Sequence, residues 1–289
     1  MKILVTGAGG NSNQILVPML LKAGHTVIAM DVAALAYDCE CVRASVLDDL
    51  AVEKHARGVD LIVHSAGTAD HSLPRSPQAP DAYFGWWEMS AETTHHMYRA
   101  ALYAGVSKVI FISSQEYYSY AYGPGVIDED YPASRPANNY YDLSKVISED
   151  IAHYYAARHG MRSTLLRPGN FTGLPEPGPD FLGNRLRRED VAQAQFLCVG
   201  YEPEGGFEAF NVMAGNPFQP EDLPDLMNRP MDLIERYYPG AKELMERNGM
   251  LWVGTDRLRT IRKAERKLGY RPHFTFERYL ETLGWKPKV

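Results

Sequence analysis

An apolar run, Met1-Lys-Ile-Leu-Val5, passes directly into Thr6-Gly-Ala-Gly-Gly-Asn-Ser-Asn13, and a helical pattern starts immediately behind it. Clustered glycines between a strand and a helix allow a tight turn with a bare backbone, and they leave the amide hydrogens of the helix start free to approach an anion. Few folds open this way. The rest of the first half agrees with an open α/β sheet. Short β-branched runs at Lys2–Thr6, Thr26–Met30, Leu61–His64, Val109–Ser113 and Ser163–Leu166 alternate with helical patterns, which predicts parallel strands joined by crossover helices. Asn13–Ala23 ends at Gly24 and Ser90–Ala104 ends at Gly105, the residue type that closes helices in a left-handed conformation.

After Arg167 the pattern changes. Thr172–Asp180 holds too many prolines and glycines for a regular element and is expected to be a loop over the carboxyl edge of the sheet. Glu208–Met213 reads as a late strand, and Asp222–Leu283 supplies charged, helix-prone segments broken by Pro230, Pro239 and Pro272. The expectation is a doubly wound parallel sheet over residues 1–170. Residues 171–289 complete that sheet and form a small, mainly helical substrate lobe.

Bulk properties narrow the function classes. With 45% hydrophobic and 23% charged residues, the 289-residue chain has a globular composition. Thirty basic against 36 acidic residues give a net charge of −6, which provides no electrostatic footprint for nucleic acid or anionic lipid. Apolar stretches such as Ile15–Leu21 fall far short of the roughly 20 residues needed to cross a bilayer. The amino terminus lacks the apolar region and cleavage site of a secretory signal, so a cytoplasmic location is expected. Cys39, Cys41 and Cys198 have no zinc-site spacing and read as reduced structural thiols, and the adjacent His95 and His96 do not share a helix face; no metal is expected.

The glycine turn, Gly7, Gly9, Gly10 and Asn11, stands where a dinucleotide pyrophosphate would bind; the plain alternative is a tight strand-to-helix connection. Asp31 strengthens the first reading. It closes the second strand about twenty residues downstream, where a carboxylate accepts hydrogen bonds from the adenosine ribose hydroxyls and repels a 2′-phosphate, favouring NAD over NADP. Farther on, Tyr141-Asp-Leu-Ser-Lys145 opens a helical pattern, and a spacing of four puts the phenol and the ammonium on one face. The ammonium favours the phenolate, making tyrosine usable as a proton acceptor beside a nicotinamide. Ser113-Ser114 ends an apolar strand at the edge where such sheets place their ligands; Ser114 is the first choice to hold a substrate oxygen, with Ser113 the alternative.

Several motifs in order make the chain resemble the extended short-chain dehydrogenase/reductase family, also called NAD-dependent epimerase/dehydratase. They are Thr6-Gly-Ala-Gly-Gly10, Asp31, His64-Ser-Ala-Gly67, Ser113-Ser114, Tyr141-x-x-x-Lys145, Leu166-Arg-Pro-Gly169, Glu189-Asp-Val191 and Phe210-Asn-Val212. The resemblance implies a Rossmann-type fold with bound NAD, Tyr141 as acid/base, Lys145 on the nicotinamide ribose and Ser114 on the substrate oxygen. It also implies Ala66 and Gly67 on the adenosine side and Pro168 and Gly169 against the nicotinamide. Three positions depart from the family: Asn13 replaces the third fingerprint glycine, which is expected to hold the helix slightly farther from the strand, Ser45 replaces an adenine-recognising aspartate, and Ser90 replaces a supporting asparagine.

Only sixteen residues separate Gly173 from Asp190, where members acting on nucleotide-activated sugars carry a long insertion. The compact form resembles uronate dehydrogenase, which implies a small sugar-like or sugar-acid substrate. Gln115, Glu116 and Asn170 are then candidate contacts, and Arg185, Arg187 or Arg188 could clamp a carboxylate, with a solvated basic turn as the alternative. The tyrosine-rich stretch Glu116–Tyr122 is a candidate pocket wall or ordinary core. An epimerase or dehydratase returning hydride to its own substrate, and a non-catalytic NAD(H) sensor, remain the competing readings; pairing into homodimers is frequent among relatives.

Overall fold

The central strands of this chain are apolar on both faces, the pattern of a parallel sheet covered on both sides. A computed structural model describes residues 1–67, 85–118, 123–171 and 178–287. Its strands are β1 (Lys2–Thr6), β2 (Thr26–Asp31), β3 (Glu40–Arg43), β4 (Leu61–His64), β5 (Lys108–Ile112), β6 (Gly125–Ile127), β7 (Arg162–Pro168), β8 (Phe207–Val212) and β9 (Arg257–Arg259). Seven form one parallel sheet in the order β3-β2-β1-β4-β5-β7-β8, while β6 and β9 pair separately. The chain leaves β1 toward one edge and returns to place β4 on its other side. The crevice above β1 and β4 is therefore the topological switch point, the position where open α/β sheets bind ligands.

Alternation along each strand sorts side chains into two cores. Ile3, Val5, Val27 and Ala29 join one, together with Leu16, Val17 and Leu20 of helix α1 (Asn13–Lys22). Leu4, Ile28 and Met30 join the other, with Met97, Tyr98 and Ala101 of a helix that ends at Gly105. The carboxyl-terminal segment packs into the first core through Leu226, Leu233, Ile234, Tyr270 and Leu280, and β8 adds the last strand beside β7. Among the described residues no helix is long and apolar enough to cross a membrane.

Several elements differ from the sequence expectation. β3 escapes a hydrophobic reading because Glu40-Cys-Val-Arg43 is a largely exposed edge strand. Helix α2 (Asp49–Ala56) also lacks a strong apolar stripe; it is started by Asp48, whose side chain accepts from the amide of Ala51 at 3.0 Å. The expected helix from Ser90 begins earlier, as a π-helical stretch over Trp87–Glu92 that runs into helix α3 (Thr93–Ala104). Pro230 opens a helix, Pro230–Tyr237, at a first-turn position where its missing N–H costs nothing. The Tyr-Lys motif lies on helix α4 (Tyr140–His159), and Glu189-Asp-Val191 on helix α5 (Arg188–Val199).

Candidate active site

The glycine turn closes against the end of β4. Gly7 has φ +65°, and a Cβ there would lie 2.8 Å from the Cα of Ala66, so the turn and the Ser65-Ala66-Gly67 segment meet at a distance only glycine permits. The Gly9 amide donates to one carboxylate oxygen of Asp31 at 2.9 Å, and the other oxygen accepts from Ala33 N at 2.9 Å. Asp31 thus stands against the turn at the end of β2, the geometry a ribose-binding carboxylate needs. Tyr37 adds a bond from its hydroxyl to the carbonyl of Ala8 at 2.7 Å. Asn11 is exposed at the rim of the turn.

Asn13 is 1% exposed and ties the helix start to the turn rather than loosening it. Its Nδ2 donates to the carbonyl of Gly7 at 2.9 Å, and its Oδ1 accepts from Gln195 of α5 at 2.9 Å. Ser45, half-buried, uses its Oγ to accept from Leu47 N at 3.1 Å. Ser90 sits inside the π-helical stretch, where its carbonyl accepts from the hydroxyls of Thr93 and Thr94 at 3.2 and 2.6 Å. Its own Oγ is buried without a partner. A glycine turn where a Cβ would strike Ala66 or Asp31, beside an acidic strand end, fits a dinucleotide.

At the other end, Asn139 caps α4 by accepting from Asp142 N at 3.0 Å, which fixes the first turn that carries Tyr141. Lys145 Nζ lies 5.6 Å from the centroid of the Tyr141 ring and 5.8 Å from that of Phe111. Burial pulls the ammonium down to about 8, and the negative charge of Glu149 opposes that shift. His64 faces the same region. Burial and then the nearby Lys145 charge lower it to about 3, so the ring is neutral; it pairs through Nδ1 with the Thr6 hydroxyl at 2.9 Å, and its Nε2 has no partner.

A cavity of about 160 Å³ collects Ser114, Gln115 and Glu116 from behind β5, Tyr141 from α4, and Pro168–Phe171 with Asn184 from behind β7. Ser113 also borders it, but its hydroxyl donates to Glu149 Oε1 at 2.5 Å. Ser114 Oγ accepts from Glu116 N at 3.1 Å and keeps its own O–H to donate. Asn170 is held through its backbone, with its N–H on the carbonyl of Asn184 at 2.8 Å. Arg185 is not among the described residues lining the cavity; its guanidinium lies 3.8 Å from Asp180. Arg187 and Arg188 each approach Glu189 at 3.6 Å. Of the expected loop Thr172–Asp180, residues 172–177 lie outside the described residues, as do the tyrosines at 120 and 122, and its end is taken up by a short 3-10 helix, Gly178–Leu182.

Beneath the cavity is a charged network that sequence reasoning missed. Arg167 and Glu149, with side chains 4% and 3% exposed, form an ion pair at 2.7 Å, with a second contact from Arg167 Nε at 2.9 Å. Arg167 also donates to the Tyr118 hydroxyl at 2.5 Å and stacks 3.8 Å over the Tyr117 ring. The available signal was a charge inside the apolar run Leu165-Leu-Arg167, together with an acid one helical turn beyond Lys145. The network links three parts of the site: Ser113 at the end of β5, Glu149 on the helix of Tyr141, and Arg167 just before Pro168.

Uronate dehydrogenase of Pseudomonas syringae pv. tomato is 32% identical over 181 residues, covering 61% of this chain and 61% of that protein. L-arabinose 1-dehydrogenase (NAD(P)(+)) of Haloferax volcanii is 29% identical over 183 residues, 58% of this chain and 66% of that protein. The chain thus aligns with less than two thirds of the length of these relatives. Among solved structures, a mutated uronate dehydrogenase superposes with a TM-score of 0.68 at 20% identity, covering 98% of this chain and 85% of that one. UDP-glucuronic acid 4-epimerase from Bacillus cereus gives 0.70 at 18% identity, covering 97% of each chain. At these identities the structures share the fold. The model of the NAD dependent epimerase/dehydratase family matches residues 3–194, and the chain belongs to that family.

Proposed function

We propose that this chain is an NAD-dependent oxidoreductase that interconverts an alcohol and a ketone on a small sugar or sugar acid. The observation that carries the proposal is that Tyr141 and Ser114 border one cavity while the Lys145 ammonium stands against the Tyr141 ring. Bound NAD would supply the hydride acceptor. Tyr141 takes the proton of the substrate hydroxyl through its phenolic oxygen, and returns it when the reaction runs backward. Ser114 donates to the same substrate oxygen and holds it at the phenol. Lys145 favours the phenolate by its charge and holds the nicotinamide ribose; Asp31 takes the adenosine ribose hydroxyls and disfavours a 2′-phosphate.

Relatives named for uronate and L-arabinose dehydrogenation support a free sugar as substrate. The short stretch between Gly173 and Asp190, sixteen residues, disfavours a nucleotide sugar and with it the epimerase or dehydratase alternative. Three unpaired cysteines support a cytoplasmic location.

The test is net NADH formation with sugars and NAD. Tyr141→Phe should cut turnover by about 10²–10⁴-fold and leave NAD affinity nearly unchanged, since only the proton-transfer group is lost. Isomerised product without net NADH would favour the epimerase, and full activity in the variant would remove Tyr141 from the reaction.

A further inference from the structure

Tyr141 lies in the first turn of α4 and is only half-buried, so the helix backbone by itself leaves its side chain a choice of rotamers. Proton transfer needs one of them, and a contact from another element selects it. The ring of Trp86, 3% exposed, packs edge-to-face with the Tyr141 ring, with centroids 4.8 Å apart and planes inclined by 66°.

The direction of Trp86 follows from the π-helical stretch that starts immediately behind it, within one helical run from residue 85 to the end of α3. The N–H of Thr93 donates to the carbonyl of Glu88, five residues back, so one extra residue is inserted into the helix. Just beyond, the hydroxyl of Thr94 lies 3.2 Å from that of Ser148 on α4. On α4 the two contact points, Tyr141 and Ser148, are seven residues apart, which is two turns along one face. On the opposing helix, Trp86 and Thr94 are eight apart. At about 100° per residue, eight positions of plain α-helix would leave these two side chains about 80° out of line; with one residue inserted they align as seven do, to within about 20°. The π turn is therefore what lets one helix face meet α4 at both Tyr141 and Ser148. Such turns are rare and recur at functional sites.

Resting on the oxidoreductase reading above, in which Tyr141 carries the proton, we infer that Trp86 is a positioning residue for that reaction: its ring, directed by the π turn, holds the Tyr141 phenol in the orientation that meets the substrate oxygen. Trp86 acts through Tyr141 and need touch neither substrate nor NAD.

The full chain is compared with Trp86→Leu, Trp86→Phe, Tyr141→Phe and the double variant Trp86→Leu/Tyr141→Phe. NADH formation from NAD and the sugar turned over fastest gives kcat and KM. NMR of the protein labelled in its tyrosine rings, without substrate or NAD, reads the contact itself, the Tyr141 signal being identified by its loss in Tyr141→Phe. Trp86→Leu should lower kcat by about ten- to a hundredfold, as a misplacement near 1 Å does, and leave both KM values within about twofold. It should also move the Tyr141 signal, because the ring current of Trp86 is gone. Trp86→Phe keeps an aromatic edge and should recover most of kcat. In the Tyr141→Phe background, Trp86→Leu should cost almost nothing more, since residues that act as a unit are not additive. If Trp86→Leu fails to fold, Trp86→Met takes its place in both measurements. Losses that multiply in the double variant, KM changes as large as the kcat change, an unmoved Tyr141 signal, or leucine serving as well as phenylalanine would each overturn the positioning role and leave Tyr141 as the base. Full activity in Tyr141→Phe would remove the base and the positioning role together.

Discussion

Replacing Glu149 by glutamine tests whether the buried network serves the chemistry or only the fold. Glu149 accepts from Arg167 and from Ser113, and all three are almost fully buried. Removing one partner of a buried pair strands the other charge and costs about 3–5 kcal/mol. With an unfolding entropy near 2.1 cal/mol/K per residue, a chain of 289 residues changes by about 0.6 kcal/mol per degree, so melting should fall by about 5–8 °C. The chemical consequence is separate. Lys145 sits at about 8 because burial lowers it and Glu149 holds it up. A charge one helical turn away, about 6 Å at an effective dielectric constant near 20, is worth about 3 kcal/mol, or up to about two pH units. The alkaline limb of kcat/KM should therefore move down by about one to two units in Glu149→Gln. The sign for stability follows from the same shift. Lys145 is depressed from 10.5 to about 8 on folding, so the burden of its buried charge is present below pH 8 and is relieved as pH rises from 8 toward 10.5. Because the variant's Lys145 loses its proton one to two units lower still, its share of the melting deficit should shrink as pH climbs from one to two units below 8 up to about 8, leaving above that the part due to stranded Arg167. Glu149→Gln/Arg167→Met should recover part of the stability without restoring the limb. An unchanged melting temperature would deny the buried pair, and a lowered one with an unmoved alkaline limb would make the network purely structural.

Asp31→Ala should weaken NAD by about ten- to a hundredfold, through lost hydrogen bonds to a charged group, and relax discrimination against NADP; cofactor titration by fluorescence reads both, and two unmoved affinities would remove Asp31 from the ribose site. Asn13→Gly restores the residue usual in the family yet should destabilise by about 1–3 kcal/mol in urea, because it abandons Gln195 and the Gly7 carbonyl. A neutral or stabilising outcome would mean that these bonds contribute nothing net.

What was legible in the sequence follows burial. The central strands read clearly because parallel strands are apolar on both faces, and all four residues of β4 are buried. Helix ends read clearly where glycine takes the left-handed conformation, as at Gly105 with φ 75°. The edge strand β3 has no such signature, and β6 and β9, three residues each, are too short to show a period. The π-helical stretch before α3 depends on backbone hydrogen bonds that no side-chain pattern announces. In the site, the spacing of Tyr141 and Lys145 is a property of one helix and can be counted. The pair Glu149–Arg167 cannot be counted in that way, because charged residues default to the surface and their burial depends on a partner from another element. Gln115 divides the two cases: that it stands near the site is readable, but which end of its amide is committed depends on Asn211.

Asn13 shows how a departure from a fingerprint is absorbed. A glycine at the helix start lets the helix approach the strand because nothing intervenes. Here a side chain occupies the position and is itself the link, since its amide reaches the Gly7 carbonyl on one side and Gln195, far along the chain, on the other. Ser65 joins from the end of β4, donating to Asn13 Oδ1 at 3.5 Å and accepting from Gln195 at 3.1 Å. The turn is thus tied to β4 and α5 by hydrogen bonds, and the cradle geometry depends on all three residues. The third glycine is one way to position amides for a pyrophosphate; a buried amide side chain with matched partners is another, and its cost appears when either partner is changed alone.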